Sequence, residues 1–290
     1  MNRVSEHCPR KTDGALLIPT TMGEVPESHP RYASLMSRQR LVDAMKEGLL
    51  ADSALIAHGR GEAFDYLIGE RTCPGAIAAI NEVAARLLTA EHPVISVNGN
   101  TVALACDELL QIADKLRCPI EVNIYYRTPE RMEALLRHIR NRATALGLNH
   151  VEILGDKPDG QIPGLDGPRS KCCKDGILGA DMVLVPLEDG DRCEALVAMD
   201  KQVFVIDLNP LSRTAKTATI CIVDEVQRTA SALLSRLKEP KDSDPQFDAS
   251  ISRRAVLEVM LGALERDQSD AYCVSNIEAC LLYTSDAADE

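Results

Sequence analysis

Five short segments of this 290-residue chain combine residue types that bind anions, hold metal ions or transfer protons. Arginine holds phosphates through paired hydrogen bonds, histidine exchanges protons near neutral pH, and carboxylates offer oxygen ligands to Mg²⁺. The segments are SHPRY (residues 28–32, followed by Arg38), AHGRGEAFDY (57–66), SVNGN (96–100), PLEDGDR (186–192) and DLNPLSRT (207–214). Their composition predicts a phosphate-binding cleft.

The first two segments carry arginines that could reach a phosphate. In SHPRY, a hydroxyl, an imidazole and a guanidinium stand at a predicted helix start, which attracts anions; the alternative is a helix cap with surface arginines. In the second segment two glycines flank Arg60 and allow close approach to a ligand. His58 beside them either supports a turn or meets the reacting groups. The third glycine of the dinucleotide fingerprint is replaced by Phe64, which argues against an NAD site.

The third segment, SVNGN, follows a predicted strand. Its two amides, Asn98 and Asn100, together with exposed N–H groups, would cradle a carboxylate or phosphate, or else simply form a tight loop. Asn123 and Arg127 lie on and just after the next strand, where Arg127 could hold a phosphate bidentately.

The fourth segment, PLEDGDR, places three acids around one glycine after a strand. Glu188, Asp189 and Asp191 supply the oxygen ligands that Mg²⁺ prefers, and the alternative is a solvated acidic turn.

The fifth segment begins at the end of a strand that reads as buried. A carboxylate there, Asp207, often meets a ribose hydroxyl, and Arg213 and Thr214 could then face phosphates. No Walker A sequence is present, so P-loop chemistry is not indicated.

The elements that must position these segments alternate between strands and helices. Periodicity predicts helices over 29–50, up to 69, and over 76–90, 102–116, 129–146, 194–199, 224–237 and 252–265, and strands over 93–97, 120–126, 151–154, 181–186, 203–207 and 218–223. Such alternation predicts an α/β fold of Rossmann-like type, with a mostly parallel sheet, helices on both faces and an N-terminal helical segment. Ligands of such sheets bind beyond the carboxyl ends of the strands, where these segments lie.

Composition excludes several classes of protein. The hydrophobic fraction of 45% excludes global disorder, and the net charge of −12 argues against nucleic-acid or membrane-surface partners. No apolar run is long enough to cross a bilayer and no signal sequence is evident, so we expect a cytoplasmic protein. The ten cysteines form no C-x-x-C pair, which favours reduced thiols over a metal cluster.

The expected domain organisation has three parts. Residues 1–25 read as a flexible extension, 26–238 as a single α/β domain, and 239–290 as a linker, a helix and a tail. The final residues, LLYTSDAADE, resemble translated sequencing adapter and are left out of the fold prediction.

Read together, the blocks SHPRY, GLLADSALIAHGRGEAFDYLIGE, PVISVNGN, EVNIYYRT, VPLEDGDR and DLNPLSRT, in this order, resemble the archaeal phosphopantothenate synthetase (4-phosphopantoate–β-alanine ligase) family. The resemblance implies a homodimeric enzyme of coenzyme A biosynthesis. Such an enzyme joins 4-phosphopantoate to β-alanine and splits ATP to AMP and diphosphate through a phosphopantoyl adenylate. Other readings on this fold are a nucleotide-dependent kinase or an ATP-sensing regulatory protein.

The resemblance also implies roles for particular residues. Those implied for ATP are Arg38, Arg60, Asp207, Leu208, Asn209, Arg213, Thr214, Glu225 and Val226. Asn98, Asn100 and Arg127 are implied for 4-phosphopantoate, and Glu188, Asp189 and Asp191 for Mg²⁺. His58, beside Arg60, is expected to accept the ammonium proton of β-alanine. The chain departs from the family pattern at Cys193, where threonine is expected, and at Glu225, where asparagine is common.

Overall fold

A computed structural model of the chain describes residues 25–263, and its centre is a six-stranded parallel sheet. The sheet has the order β3-β2-β1-β6-β7-β8, and every neighbouring pair runs parallel. Its strands are β1 (Pro93–Val97), β2 (Ile120–Val122), β3 (Ile153–Leu154), β6 (Met182–Pro186), β7 (Gln202–Ile206) and β8 (Ile220–Ile222). A separate antiparallel pair joins β4 (Gly160–Gln161) and β5 (Lys171–Cys172).

Nine α-helices of the described part surround the sheet. They are α1 (Tyr32–Lys46), α2 (Ser53–Ile68), α3 (Pro74–Thr89), α4 (Gly99–Leu116), α5 (Pro129–Leu146), α6 (Gly190–Val197), α7 (Arg213–Thr217), α8 (Val226–Lys238) and α9 (Ala249–Leu261). Within residues 25–263, no helix is both long and apolar enough to span a bilayer. The predicted α/β class with its parallel sheet and N-terminal helices is therefore confirmed.

The side of the sheet on which the chain adds new strands changes at a reversal point between β1 and β6, although all strands stay parallel. From β1 the chain builds outward through β2 to β3, then returns to the other side of β1 and builds β6, β7 and β8. The loops after β1 and β6 thus diverge to opposite sides and leave a crevice, which is where ligands bind in doubly wound sheets.

Side-chain caps fix where the helices beyond this crevice begin. Asn98 accepts a hydrogen bond from the backbone of Thr101, so α4 begins at Gly99, three residues before the predicted start. Asp189 caps α6 in the same way, and that helix begins at Gly190 rather than at residue 194. The expected strand over 120–126 is shorter than predicted and ends at Val122.

The last described helix packs on the domain rather than beyond it. Ser252 of α9 donates to the carbonyl of Gly75 at 2.8 Å, and Val256 and Met260 are buried in the common core. A Cβ at Gly75 would lie 2.4 Å from the carbonyl oxygen of Ser252, so only glycine permits this approach. The packed unit thus extends past the predicted boundary at residue 238. Expectations for 1–24 and 264–290 lie outside the described residues.

All seven cysteines within the described residues are buried. Burial raises the pKa of Cys106, Cys118, Cys172 and Cys193 to about 12. They therefore serve as small apolar side chains. Cys193, one of the departures from the family pattern, is fully buried and its thiol lies 4.0 Å from the carbonyl oxygen of Thr214.

Candidate active site

A cavity of about 1000 Å³ opens at the carboxyl ends of the strands. Its wall combines α1, α2, the start of α4, the loop after β2 and the start of α8. It thus lies beside the reversal point between β1 and β6 and is large enough for two small substrates.

The helices α1 and α2 reach the strand ends because two glycines allow close contact. A Cβ at Gly99 would lie 2.6 Å from the carbonyl oxygen of Leu49, in the connection between α1 and α2. A Cβ at Gly61, on α2, would lie 3.2 Å from the Leu208 side chain that follows β7. The glycines around Arg60 thus belong to a helix and not to a phosphate loop.

Glu62 of α2 binds polar side chains at the start and in the first turns of α1. Its carboxylate accepts from Ser34 at 2.6 Å and from Arg38 Nε at 2.8 Å, and Arg31 lies 3.6 Å away. Burial alone would raise the pKa of Glu62, but these donors hold it below its usual value. Arg38 is therefore engaged by a carboxylate and does not line the cavity.

His58 lines the cavity one turn before Glu62 on α2. Its Nε2 is enclosed and has no hydrogen-bond partner within residues 25–263. Burial lowers the pKa of His58, and Arg38 adds to that effect against the attraction of Glu62. The ring is thus neutral at pH 7 and can accept a proton. Arg60, two residues on, is exposed and does not line the cavity.

The two amides of SVNGN line the cavity and also hold the fold together. Asn98 Nδ2 donates to the carbonyls of Pro186 and Leu187 at 3.3 and 3.1 Å, which ties the end of β1 to the end of β6. Asn100 Nδ2 donates to the carbonyl of Ala54 on α2 at 3.3 Å. Asn98 and Asn100 thus stand at the cap and in the first turn of α4, and the cradle for a carboxylate or phosphate stays a prediction.

Arg127 points away from the cavity, toward the loop after β3. Its Nη2 donates to the carbonyl of Gly155 and, at 3.2 Å, to that of Asp156. The neighbouring Arg131, on the first turn of α5, lines the cavity instead. Sequence reasoning passed over Arg131 because it lies inside a helix rather than at a strand end.

The acids of PLEDGDR are each engaged by arginine. The Glu188 side chain is fully buried and pairs with the fully buried Arg192, whose Nη2 also donates to Ser96 Oγ at 3.0 Å. Asp189 pairs with Arg169 at 2.5 Å, and Asp191 pairs with Arg213.

These three carboxylates therefore do not converge on a common point. Within residues 25–263, no group of three or more His, Cys, Asp or Glu side chains is arranged to hold a metal ion. Each carboxylate instead pairs with an arginine, Glu188 with Arg192 of the same segment, Asp189 with Arg169 and Asp191 with Arg213. A Mg²⁺ site at these residues stays a prediction.

The turn after β7 is held by its own side chains. Asp207 accepts from the backbone of Asn209 at 3.0 Å and from Ser212 Oγ at 2.5 Å, and Ser212 caps α7. Arg213 is exposed on α7 beside Glu194, and Thr214 is buried. Of this segment only Leu208 lines the cavity.

The start of α8 forms the far wall of the cavity. Glu225 caps the helix by accepting from the backbone of Gln227 and Arg228 at 2.9 Å each. Burial raises the pKa of Glu225 in spite of these donors. Arg228 is held between Asp65 and Asp224, both at 2.5 Å, which joins α8 to α2.

Comparison with known proteins places this chain in a family. Residues 75–264 match the model of the phosphopantothenate/pantothenate synthetases. The chain belongs to this family. It is 49% identical over 221 residues to the 4-phosphopantoate–β-alanine ligase of Thermococcus kodakarensis, covering 76% of this chain and 83% of that protein. The ligases so named of Methanospirillum hungatei and Methanosarcina mazei are 50% and 47% identical, each over 76% of this chain and 87% and 84% of their own lengths.

Family membership does not by itself assign roles to residues. The predicted residues that line the cavity are His58, Asn98, Asn100, Leu208, Glu225 and Val226. Those that do not are Arg38, Arg60, Arg127, Glu188, Asp189, Asp191, Asp207, Asn209, Arg213 and Thr214. All of these roles stay predictions. The cavity also brings in Arg131, Arg169 and Arg228, which no short motif had indicated.

Proposed function

We propose that the protein is an ATP-dependent ligase that condenses 4-phosphopantoate with β-alanine to 4′-phosphopantothenate and releases AMP and diphosphate. The similarity to relatives that carry the ligase name, over more than four fifths of their length, carries the proposal. The cavity at the reversal point of the sheet supports it, because a ligase needs room for a nucleotide and a second substrate together.

Two displacements would make up the reaction. A carboxylate oxygen of 4-phosphopantoate attacks the α-phosphorus of ATP, the bond to the bridging oxygen breaks, and diphosphate leaves. The amine of β-alanine then attacks the carbonyl carbon of the phosphopantoyl adenylate, and AMP leaves with the electron pair of the broken C–O bond. The protein must hold both anions close together and exclude water from the mixed anhydride.

The two halves of the sheet suggest where each substrate lies. The residues implied for ATP, among them Asp207, Asn209 and Glu225, follow β7 and β8. Asn98 and Asn100, implied for 4-phosphopantoate, follow β1. The reacting carboxylate and α-phosphate would then meet beside β6, between the two groups.

Mg²⁺ would enter with the phosphates of ATP, which are themselves oxygen ligands for it. The paired state of Glu188, Asp189 and Asp191 gives no reason to route a step through protein-bound metal.

His58 is the residue that we propose for β-alanine. The ammonium of β-alanine must lose a proton before its nitrogen can attack. His58 lines the cavity, and its enclosed Nε2 has no hydrogen-bond partner within residues 25–263. The nearby Glu62 carboxylate would favour the imidazolium that forms.

The test is a turnover assay with ATP, 4-phosphopantoate and β-alanine that quantifies AMP, ADP and phosphopantothenate. The ligase gives AMP and phosphopantothenate one for one, and only with both substrates present. ADP as product would instead indicate a kinase, and ATP binding without turnover would indicate a sensor.

We also propose the homodimer that the resemblance implies. Light scattering during gel filtration would then give twice the chain mass of 31.6 kDa, and a mass equal to one chain would refute it.

A further inference from the structure

The arginines that line the cavity differ in how their charge is balanced. Arg31 pairs with Glu62 and Glu70, Arg169 with Glu188 and Asp189, and Arg228 with Asp65 and Asp224. Arg40 is exposed on α1. Arg131 alone among the five is partly buried in the cavity wall without a carboxylate partner in the described part of the chain.

Two backbone carbonyls fix the Arg131 side chain. Its Nε donates to the carbonyl of Leu49 at 3.3 Å and its Nη1 to that of Tyr126 at 2.9 Å. A guanidinium has five N–H donors, so three remain for a ligand. Its Nη2 lies at the start of α4, where a Cβ at Gly99 would come within 3.1 Å.

This arrangement favours an anionic ligand. A guanidinium that is partly removed from water and has no counter-charge raises the free energy of the protein, and burial lowers the pKa of Arg131 accordingly. A phosphate offers the missing charge and accepts paired hydrogen bonds in one plane. Arg127 is less suited, because its guanidinium already donates to carbonyls outside the cavity.

The position of Arg131 selects one phosphate among those in the reaction. It follows β2, which stands three strand spacings, about 14 Å, from β7. In 4-phosphopantoate the carboxylate and the phosphate are at opposite ends of the molecule. If the carboxylate meets the nucleotide beside β6, the phosphate must extend away from it, toward β2.

We infer that Arg131 holds the phosphate group of 4-phosphopantoate and gives the enzyme its preference for the phosphorylated acid over pantoate. The inference rests on the proposed function, because it takes the substrate from there. Arg131 is thus a specificity-determining residue, and it takes no part in the bond changes.

The test compares binding of 4-phosphopantoate and of pantoate by titration calorimetry, without ATP or β-alanine. Arg131→Gln removes the charge but keeps a donor for the carbonyls of Leu49 and Tyr126. We expect 4-phosphopantoate to bind about 10- to 100-fold more weakly, as for a lost charge-assisted hydrogen bond, with pantoate binding unchanged. In turnover assays the KM for 4-phosphopantoate should rise by the same factor and the KM for ATP should stay within twofold.

Two further variants keep the outcome decisive. Arg137→Gln removes another arginine of α5, one that is exposed and pairs only with Glu133, and should match the wild type. Arg131→Lys keeps the charge without the planar fork, so its affinity for 4-phosphopantoate should lie between those of the wild type and Arg131→Gln. If Arg131→Gln does not fold, Arg131→Lys takes its place in the comparison of the two acids. Equal losses for both acids, or no loss for 4-phosphopantoate, would overturn the inference. A wild type that binds 4-phosphopantoate but makes no product would instead refute the proposed ligase.

Discussion

The surroundings of His58 suit the role of proton acceptor that we propose for it. Desolvation in the cavity wall disfavours the imidazolium, while Glu62 on the next turn favours it. The net result is a ring that is neutral at neutral pH but lies close enough to a carboxylate to be protonated during a reaction. That balance suits a base for an amine nucleophile.

We expect His58→Ala to lower kcat about 100-fold, the lower range for loss of a general base. Because burial lowers the pKa of His58, the wild-type rate should increase with pH through an inflection below the ordinary histidine value of about 6.5. The variant should lack this inflection. Its rate should instead increase steadily toward alkaline pH, because β-alanine then loses its proton without a protein base. His92→Ala, outside the cavity before β1, is the control. An unchanged kcat and pH profile in His58→Ala would exclude the role.

Glu188 gives a second prediction for a single residue, one that separates structure from metal binding. Glu188→Gln leaves the guanidinium of Arg192 buried without its counter-charge, so the free energy of unfolding should fall by about 3–5 kcal/mol. Urea denaturation measures this. The Mg²⁺ concentration for half-maximal activity should not change.

Asp191→Asn is the matched control for Glu188→Gln. Its carboxylate pairs with an exposed arginine, so urea denaturation should show no measurable loss of stability. A large shift in the Mg²⁺ requirement of either variant would restore the carboxylates as metal ligands.

At the scale of elements, the contact between α4 and the connection of α1 to α2 builds the cavity wall. Gly99→Ala would place a methyl group 2.6 Å from the carbonyl oxygen of Leu49, which is backbone and cannot rotate away. We expect a loss of about 1–3 kcal/mol in unfolding free energy and a lower affinity for 4-phosphopantoate.

Gly59→Ala, on α2, is the matched glycine control. A Cβ there meets nothing within 4 Å, and alanine favours a helix over glycine by about 1 kcal/mol, so this variant should be as stable as the wild type or more so. Equal behaviour of the two variants in thermal unfolding and binding would show that the close approach at Gly99 does not matter.

The elements themselves were largely predictable from the sequence. Apolar runs such as PVISV gave β1 with its observed ends, and the pattern over 129–146 gave α5, which begins at Pro129 and ends at Leu146 as predicted. The strands β4 and β5 were not predicted, because two residues each are too few to show alternation. The helix α7 was missed for the same reason of length.

The lining of the cavity was only partly predictable, since it depends on the directions in which side chains point, and short motifs do not encode these. The spacing of strand ends placed Asn98 and Asn100 in its wall. It also pointed to Arg127, but the chain turns after β2 so that Arg131 faces the cavity in its place. The pairing of Asp189 and Asp191 could not be predicted from the sequence, because their partners, Arg169 and Arg213, lie about 20 residues away.

At the scale of the whole molecule, the proposed function divides the sheet between the two substrates. Most of the residues proposed for the nucleotide follow β7 and β8, and those proposed for the acid follow β1 and β2, so we expect the two ligands to bind without competing. Each ligand at 100 times its Kd should add about 2.7 kcal/mol to the unfolding free energy.

Thermal unfolding with a non-hydrolysable ATP analogue, with 4-phosphopantoate, and with both together measures this separation. The two increments should add when both ligands are present. A second ligand that adds nothing would mean that both occupy one pocket, and the division of the sheet between substrates would be wrong.

The rate at which each buried thiol is alkylated would report how often the structure around it opens. With a pKa of about 12, Cys106 and Cys118 are ionised to only about one part in ten thousand at pH 8. An alkylating reagent must therefore wait until the surrounding element opens. Because the thiols lie at different places, in α4, before β2, in β5 and in α6, their order of labelling would show which parts of the sheet and its helices open first.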